Sequence, residues 1–194
     1  MDISSFTPEQ VKHIKDVKQV ISAHTKNMLS SRVFEKMSLS YIDLKNSVFL
    51  TGGAIASLLQ NEAPKDWDWY FNNYGAQQDI GTYLAGQDQQ EYIKDVDEKY
   101  KEVLGINGKM ITSNAITTIT NDSFITMIFG EPDWVKATFD YVHTTPHYSP
   151  AQDLLFISPK QYYACTHKKL IVNNPASVRT WRTEKFLSRG YTNA

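Results

Sequence analysis

Asp66 and Asp68 stand two residues apart in the run PKDWDWYF, where acidic and aromatic residues alternate. Side chains on an extended strand repeat every two residues, so both carboxylates project from one face while Trp67, Trp69 and Phe71 project from the other. Such a pair suits a hard divalent cation like Mg²⁺, which takes oxygen ligands from one or two carboxylates and is often completed by substrate phosphates. Shortly upstream, Gly52-Gly53 opens GGAIASLL, and a glycine turn leading into a helix offers backbone N–H groups to phosphates. Either feature alone is ordinary: alternating polar residues mark a solvated strand face, and paired glycines mark a tight turn. Their order is informative. It reads strand Ser47–Thr51, glycines, helix Ala54–Gln60, a turn at Pro64, then the acidic strand.

These residues resemble the nucleotidyltransferases related to DNA polymerase β and, within them, the head domain of tRNA CCA-adding enzymes and poly(A) polymerases. That family joins a Gly-Gly or Gly-Ser turn, a helix and an Asp-x-Asp strand to a third carboxylate on a later strand. In the CCA-adding version an Arg-Asp pair follows the glycines, where this chain has Ala56 and Ser57. Ser57 instead matches the wider Gly-Gly-x-x-x-Ser pattern, whose serine contacts nucleotide phosphates. The phrases ITSNAIT, IFGEPDWVKATFDYVH and SVRTWRTEKFLSRGY look like those of small stand-alone bacteriophage nucleotidyltransferases. The last is also similar to the basic helix after the CCA-adding head domain, matching at Arg179, Arg182, Lys185, Phe186 and Arg189.

For the third carboxylate, Asp140 is the candidate. Trp134–His143 alternates Thr138, Asp140 and Val142 with Phe139 and Tyr141, a strand pattern. Asp122 after Asn121 and Asp133 after Pro132 fit turn chemistry better. The resemblance thus implies catalytic, metal-holding Asp66, Asp68 and Asp140 with Mg²⁺ or Mn²⁺. It implies nucleotide contacts from Gly52, Gly53, Ser57, Arg179, Arg182 and Lys185. Guanidinium groups on one cationic helix stripe suit bidentate phosphate contact, although a basic stripe is equally the solvated face of an ordinary helix.

The implied activity is transfer of a nucleoside monophosphate from an NTP to a hydroxyl acceptor, RNA or protein. Two other readings stand beside it: a tRNA or RNA 3′-end modifier, and a non-catalytic nucleotide-binding or host-interaction protein of the same fold. The implied fold is α+β, a small mixed, mainly antiparallel sheet flanked by helices. Residues 1–150 would form the nucleotidyltransferase domain with an N-terminal helix, and 151–194 a helical segment packed on it.

Composition sets the outer limits. A chain of 194 residues, 41% hydrophobic and 12% aromatic, can bury a real core. A formal net charge of −1 gives no overall field for nucleic acid, so any such contact needs a local basic patch. The single cysteine, Cys165, rules out an internal disulfide and reads as a small buried apolar residue. No apolar run reaches membrane-spanning length and no secretory h-region opens the chain, so the expectation is a soluble cytoplasmic protein, in the host cytoplasm if phage-encoded.

Elsewhere the positioning elements are read from caps and periodicity. Thr7-Pro8 with Gln10 starts a helix carrying Val11, Ile14, Val17, Val20 and Ile21, and a second helical stretch is expected near Ser31–Met37. Asn72–Gly86 reads as loop, Gln87–Val103 as an exposed charged helix, and Met110–Thr120 with Ser123–Phe129 as a hairpin through Asn121-Asp122. Ser158-Pro159 opens a helix over Lys160–Val172, Asn173-Asn174-Pro175 breaks it, and Ser177 caps the next helix through Leu187. His143 and His147 read as rim or satisfied surface histidines rather than a zinc pair.

Overall fold

The computed structural model describes residues 4–31, 34, 37, 39–86, 109–111, 115–120, 123–128 and 137–194. Helix α1 (Pro8–Leu29) begins with the expected capping box, Thr7 accepting from the Gln10 backbone and Gln10 accepting in return from the Thr7 N–H. Helix α2 (Tyr41–Ser47) runs into strand β1 (Val48–Thr51), then α3 (Gly53–Leu59) and β2 (Trp67–Phe71). Helix α4 (Tyr74–Gly86) follows, then β3 (Lys109–Ile111), β4 (Ala115–Thr120) and β5 (Ser123–Ile128). The C-terminal part holds β6 (His147–Ser149), β7 (Leu154–Phe156), α5 (Pro159–Thr166), β8 (Lys169–Leu170), α6 (Thr180–Leu187) and β9 (Thr192–Asn193).

Seven strands form one sheet in the order β3-β4-β5-β2-β1-β6-β7, antiparallel throughout except where β2 runs parallel to β5. A mixed, mostly antiparallel sheet flanked by helices is thus the architecture. Strand register aligns a row of buried side chains across it: Leu155, Tyr148, Leu50, Trp69, Met127 and Ile116. Helices α1, α3 and α4 pack on that row through Ile21, Ile55 and Ile80, all fully buried. The core side of β2 is therefore dry, and its alternate residues are left for the opposite face.

Several local expectations fail for identifiable reasons. Asn72–Gly86 is largely helix: Asn73 caps it by accepting from Ala76 N at 2.8 Å, and Ala76, Ile80 and Leu84 bury a stripe against β2 and β4. Helix α5 stops at Thr166 rather than Val172, because Lys168 turns left-handed at φ 49° and β8 then pairs with β9. Ser177 caps no α-helix. It ends a 3-10 turn, Pro175–Ser177, whose cap is Asn174, and α6 starts only at Thr180. Helix α2 was not anticipated, although Ser40 and Asp43 form a capping box there.

The run Met110–Thr120 divides between β3 and β4, which pair antiparallel. The Asn121-Asp122 turn, the Gln87–Val103 stretch and all but Ser31, Phe34 and Met37 of the expected second helix lie outside the described residues. Among the described residues no helix is long and apolar enough to cross a membrane.

Candidate functional site

The sheet face opposite the helices carries the candidate residues Asp66 and Asp68. Asp66, one residue before β2, with Asp68 and Tyr70 within it, alternates with buried Trp67, Trp69 and Phe71, as the period of two requires. Gly52 stands at φ 89°, a conformation side chains rarely adopt, and a Cβ there would lie 3.6 Å from Asp68 Oδ2. Nothing lies within 4 Å of a Cβ built on Gly53, so that backbone faces open space. Thr51, fully buried, anchors the turn by donating to the carbonyls of Thr144 and Pro146 at 3.1 and 2.8 Å.

A cavity of about 390 Å³ opens over this face, and its lining includes Gly52, Gly53, Asp66, Asp68, Tyr70, Thr138, Phe139 and Asp140 together with Arg182, Lys185 and Arg189. A smaller neighbouring cavity of about 220 Å³ holds Ser57, Lys65, His143, Lys168 and Tyr191. The two share Gly53, Asp66, Phe186 and Arg189. The structure therefore gathers Gly52, Gly53, Asp66, Asp68, Asp140, Arg182 and Lys185 around one space and puts Ser57 in the adjoining one. Arg179 lines neither: it is exposed, and its Nη1 donates to the carbonyls of Ala176 and Val178.

Electrostatics distinguish the carboxylates. Burial, then the neighbouring Asp66 charge, pushes the Asp68 carboxyl up to about 7, while Lys185 and Arg182 pull the other way. Asp68 keeps some solvent contact through the cavity mouth, but protein crowds it on most sides. Neither Asp66 nor Asp68 has a hydrogen bond or ion pair among the described residues. Lys185 is held below its ordinary value, first by partial burial and then by Arg189 and Arg182. Cations and carboxylates line the same cavity.

Asp140 departs from expectation. The described part of Trp134–His143 is not a strand: residues 137–138 are helical, Asp140 sits in a bend, Tyr141 makes one isolated bridge to Val172, and Val142–Thr144 is a 3-10 turn. On β5, the strand parallel to β2, Thr126 faces Asp68, and its hydroxyl meets that of Thr117 at 3.0 Å. The third acid thus comes from outside the sheet. It is 2% exposed and ion-paired through Oδ2 to Arg182 Nε. What bends the segment is the Asn173-Asn174 pair, whose backbone N–H groups both donate to Asp140 O and whose side chains donate to Phe139 O and Ala137 O. Among the described residues no three His, Cys, Asp or Glu side chains group as a ready metal-ligand set.

His143 is not a surface residue. It is 1% exposed among Tyr141, Phe186 and Tyr191, burial holds its imidazole down to about 4, and neither ring nitrogen has a hydrogen-bond partner among the described residues. His147 stacks on Phe156 at 4.7 Å. Cys165 is fully buried, its thiol pushed up to about 12 by burial, as a packing cysteine should be. Tyr70, whose hydroxyl burial and then Asp68 push upward, and Tyr191, which accepts from Gln60 Nε2 at 2.7 Å, carried no sequence signal of a site role. Arg189 did, through the rhythm of its helix.

The fold is similar to that of CCA-adding enzymes. It is similar to the Thermotoga maritima CCA-adding enzyme complexed with tRNA (TM-score 0.52, 12% identity, covering 99% of this chain and 41% of that one). A CCA-adding enzyme in an apo form gives TM-score 0.52 at 12% identity over 100% of this chain and 45% of that one. One complexed with CTP gives 0.51 at 12% over 99% and 40%. The chain thus spans about two fifths of the length of those enzymes. A family model described as Gabija anti-defense 2 family protein matches residues 15–168, more than half of the 194. The chain belongs to that family. Among curated proteins no match emerges.

Proposed function

We propose that the protein is a metal-dependent nucleotidyltransferase that moves a nucleoside monophosphate from an NTP to a hydroxyl acceptor, encoded by a phage and directed against the Gabija defence in the host cytoplasm. The observation that carries this reading is the pair Asp66 and Asp68, without hydrogen-bond or ion-pair partners among the described residues, lining one cavity with Arg182, Lys185 and Arg189 beside Gly52-Gly53. The donor set fits a hard divalent cation: two carboxylates on one strand face, one of them driven toward neutrality by burial and then by its neighbour's charge, a cost that a cation relieves. Mg²⁺ or Mn²⁺ held there would neutralise triphosphate charge and ease loss of the acceptor's proton.

The chain's own residues supply the rest. Gly53 and Ser57 offer polar contacts where the two cavities meet, and Arg182, Lys185 and Arg189 hold the phosphates with the α-phosphorus toward Asp68. The acceptor oxygen bonds to the α-phosphorus as the α–β bridging P–O bond breaks, and pyrophosphate carries away the electron pair. Arg179, which lines neither cavity, fits an outer contact with an acceptor rather than a phosphate contact. An RNA acceptor draws support from this exposed cationic end of α6.

The test is purified protein with Mg²⁺ and α-labelled NTPs, screened against RNA and against the Gabija proteins as acceptors. Label transfer lost in Asp68→Asn is the expected result; transfer that survives it overturns these roles. Non-catalytic nucleotide binding is the second reading, favoured by the engagement of Asp140 with Arg182. Nucleotide affinity by calorimetry without product across the screen would establish it.

A further inference from the structure

Resting on the assignment of Asp66 and Asp68 as the cation-holding pair, we propose that Asp140 is a positioning residue that presents the Arg182 guanidinium to the polyphosphate of the substrate, and is not a third ligand of the metal.

Both oxygens of Asp140 are already occupied. Oδ2 accepts from Arg182 Nε, and Oδ1 accepts from Arg182 Nη2 at 3.2 Å and from Tyr141 N at 3.0 Å. A two-point fork between a guanidinium and a carboxylate at 2% exposure is charge-assisted, and separating its partners would leave a buried charge unpaired. Nor can the backbone easily carry Asp140 toward Asp68. Its carbonyl accepts from Asn173 N at 2.7 Å and Asn174 N at 3.2 Å, so the bend is tied down from a second segment.

Arg182 is the more open partner. Its side chain is 32% exposed and lies over the Phe186 ring at 5.5 Å and the Trp181 ring at 5.6 Å. An arginine has five N–H donors in a fixed plane. Asp140 takes Nε–H and one Nη2–H, so the Nη1 hydrogens and the other Nη2–H remain, on a group that lines the same cavity as Asp68 and Lys185. Fixing the fork at one edge preorganises the other edge for a polyanion, which lowers the ordering cost of binding.

The experiment uses the full chain and two probes. Mn²⁺ alone is titrated at about pH 8, where carboxylates are free to ligate, and free Mn²⁺ is read by EPR. Inorganic tripolyphosphate is titrated by calorimetry in EDTA. Asp68→Asn weakens Mn²⁺ about 10-fold or more, whereas Asp140→Asn and Arg182→Lys leave it within about 2-fold. Asp140→Asn and Arg182→Lys each weaken tripolyphosphate about 5- to 20-fold, and the double variant is no weaker than either alone. Removing the Asp140 charge without losing orientation would strengthen anion binding instead, so the direction of change separates positioning from simple electrostatics.

Loss of Mn²⁺ in Asp140→Asn equal to that in Asp68→Asn overturns the proposal, as does tighter tripolyphosphate binding in Asp140→Asn. Should Asp140→Asn fail to fold, Arg182→Lys decides: unchanged Mn²⁺ with weakened tripolyphosphate supports the proposal, and tighter or additional Mn²⁺ binding, the sign of a released Asp140 ligand, overturns it. A wild-type protein that binds no Mn²⁺ defeats the metal reading of Asp66 and Asp68. The tripolyphosphate series then still decides the pairing.

Discussion

The two faces of β2 carry opposite burdens. Toward the helices, Trp67, Trp69 and Phe71 are buried against α1, α3 and α4; toward the cavity, Asp66 and Asp68 stand beside Tyr70 without hydrogen-bond or ion-pair partners among the described residues. Five strand residues and the one before them thus hold the fold with one set of side chains and present carboxylates to the cavity with the other. Carboxylates on a strand locked by two tryptophans cannot retreat from each other. Burial first, and then the Asp66 charge, raise the Asp68 carboxyl to about 7.

Substitutions that act on one face alone should separate the two burdens. The largest effect is expected from Asp68→Ala, which lowers nucleotidyl transfer by about a thousandfold, near 4 kcal/mol of barrier, with no loss of thermal stability. Trp69→Ala is the mirror case: urea unfolding should show a loss of about 3–5 kcal/mol, with transfer per folded molecule changed far less. A Trp69→Ala protein that stays stable but loses activity would break the division between the faces.

Gly52→Ala acts on the seam. Its backbone at φ 89° makes any side chain strained, so about 1–3 kcal/mol of stability should be lost in denaturant titration, together with much of the transfer.

The pH dependence sharpens the comparison further. Asp68 keeps its proton in the folded state up to about 7, whereas the unfolded chain releases it near the ordinary 3.8. Stability from this group is therefore full below that lower value and falls as pH rises toward 7. Replacing it with Asn should remove a decline on the order of 1–2 kcal/mol over that window, the figure discounted for solvent at the cavity mouth, as read by unfolding at about pH 4 and about pH 8. A wild-type profile no steeper than the variant's would contradict the crowding. Smallest of all, Arg179→Gln should change the KM for nucleotide by less than about threefold, since this exposed side chain touches neither cavity.

What could be read from the sequence was what local chemistry determines. The Thr7-Pro8-Gln10 and Ser158-Pro159-Gln161 capping boxes are closed within four residues, and the alternation through Asp66–Phe71 needs only the strand period. Helix α4 was hidden because its apolar stripe, Ala76, Ile80 and Leu84, is thin and interrupted by polar residues and glycine, and is justified only by the sheet beneath it. The setting of Asp140 was hidden for a different reason. Phe139 and Tyr141 alternate around it as in a strand, but Asn173 and Asn174, more than thirty positions away, impose the bend. The asparagines were legible as a helix breaker and illegible as a clamp. Among the candidate site residues, the structure gathers the glycines, all three aspartates, Arg182 and Lys185 at one cavity, and leaves Arg179, the cap residue before α6, outside its lining.

The central claim is that Asp66 and Asp68 hold a divalent cation against a polyphosphate. Crystals soaked with Mn²⁺ and a non-hydrolysable NTP test it by anomalous diffraction. The account predicts a peak at about 2.1 Å from carboxylate oxygens of both residues, with phosphates reaching toward Arg182 and Lys185. A nucleotide bound with no metal peak between the two aspartates, or with its phosphates away from that pair, would contradict it.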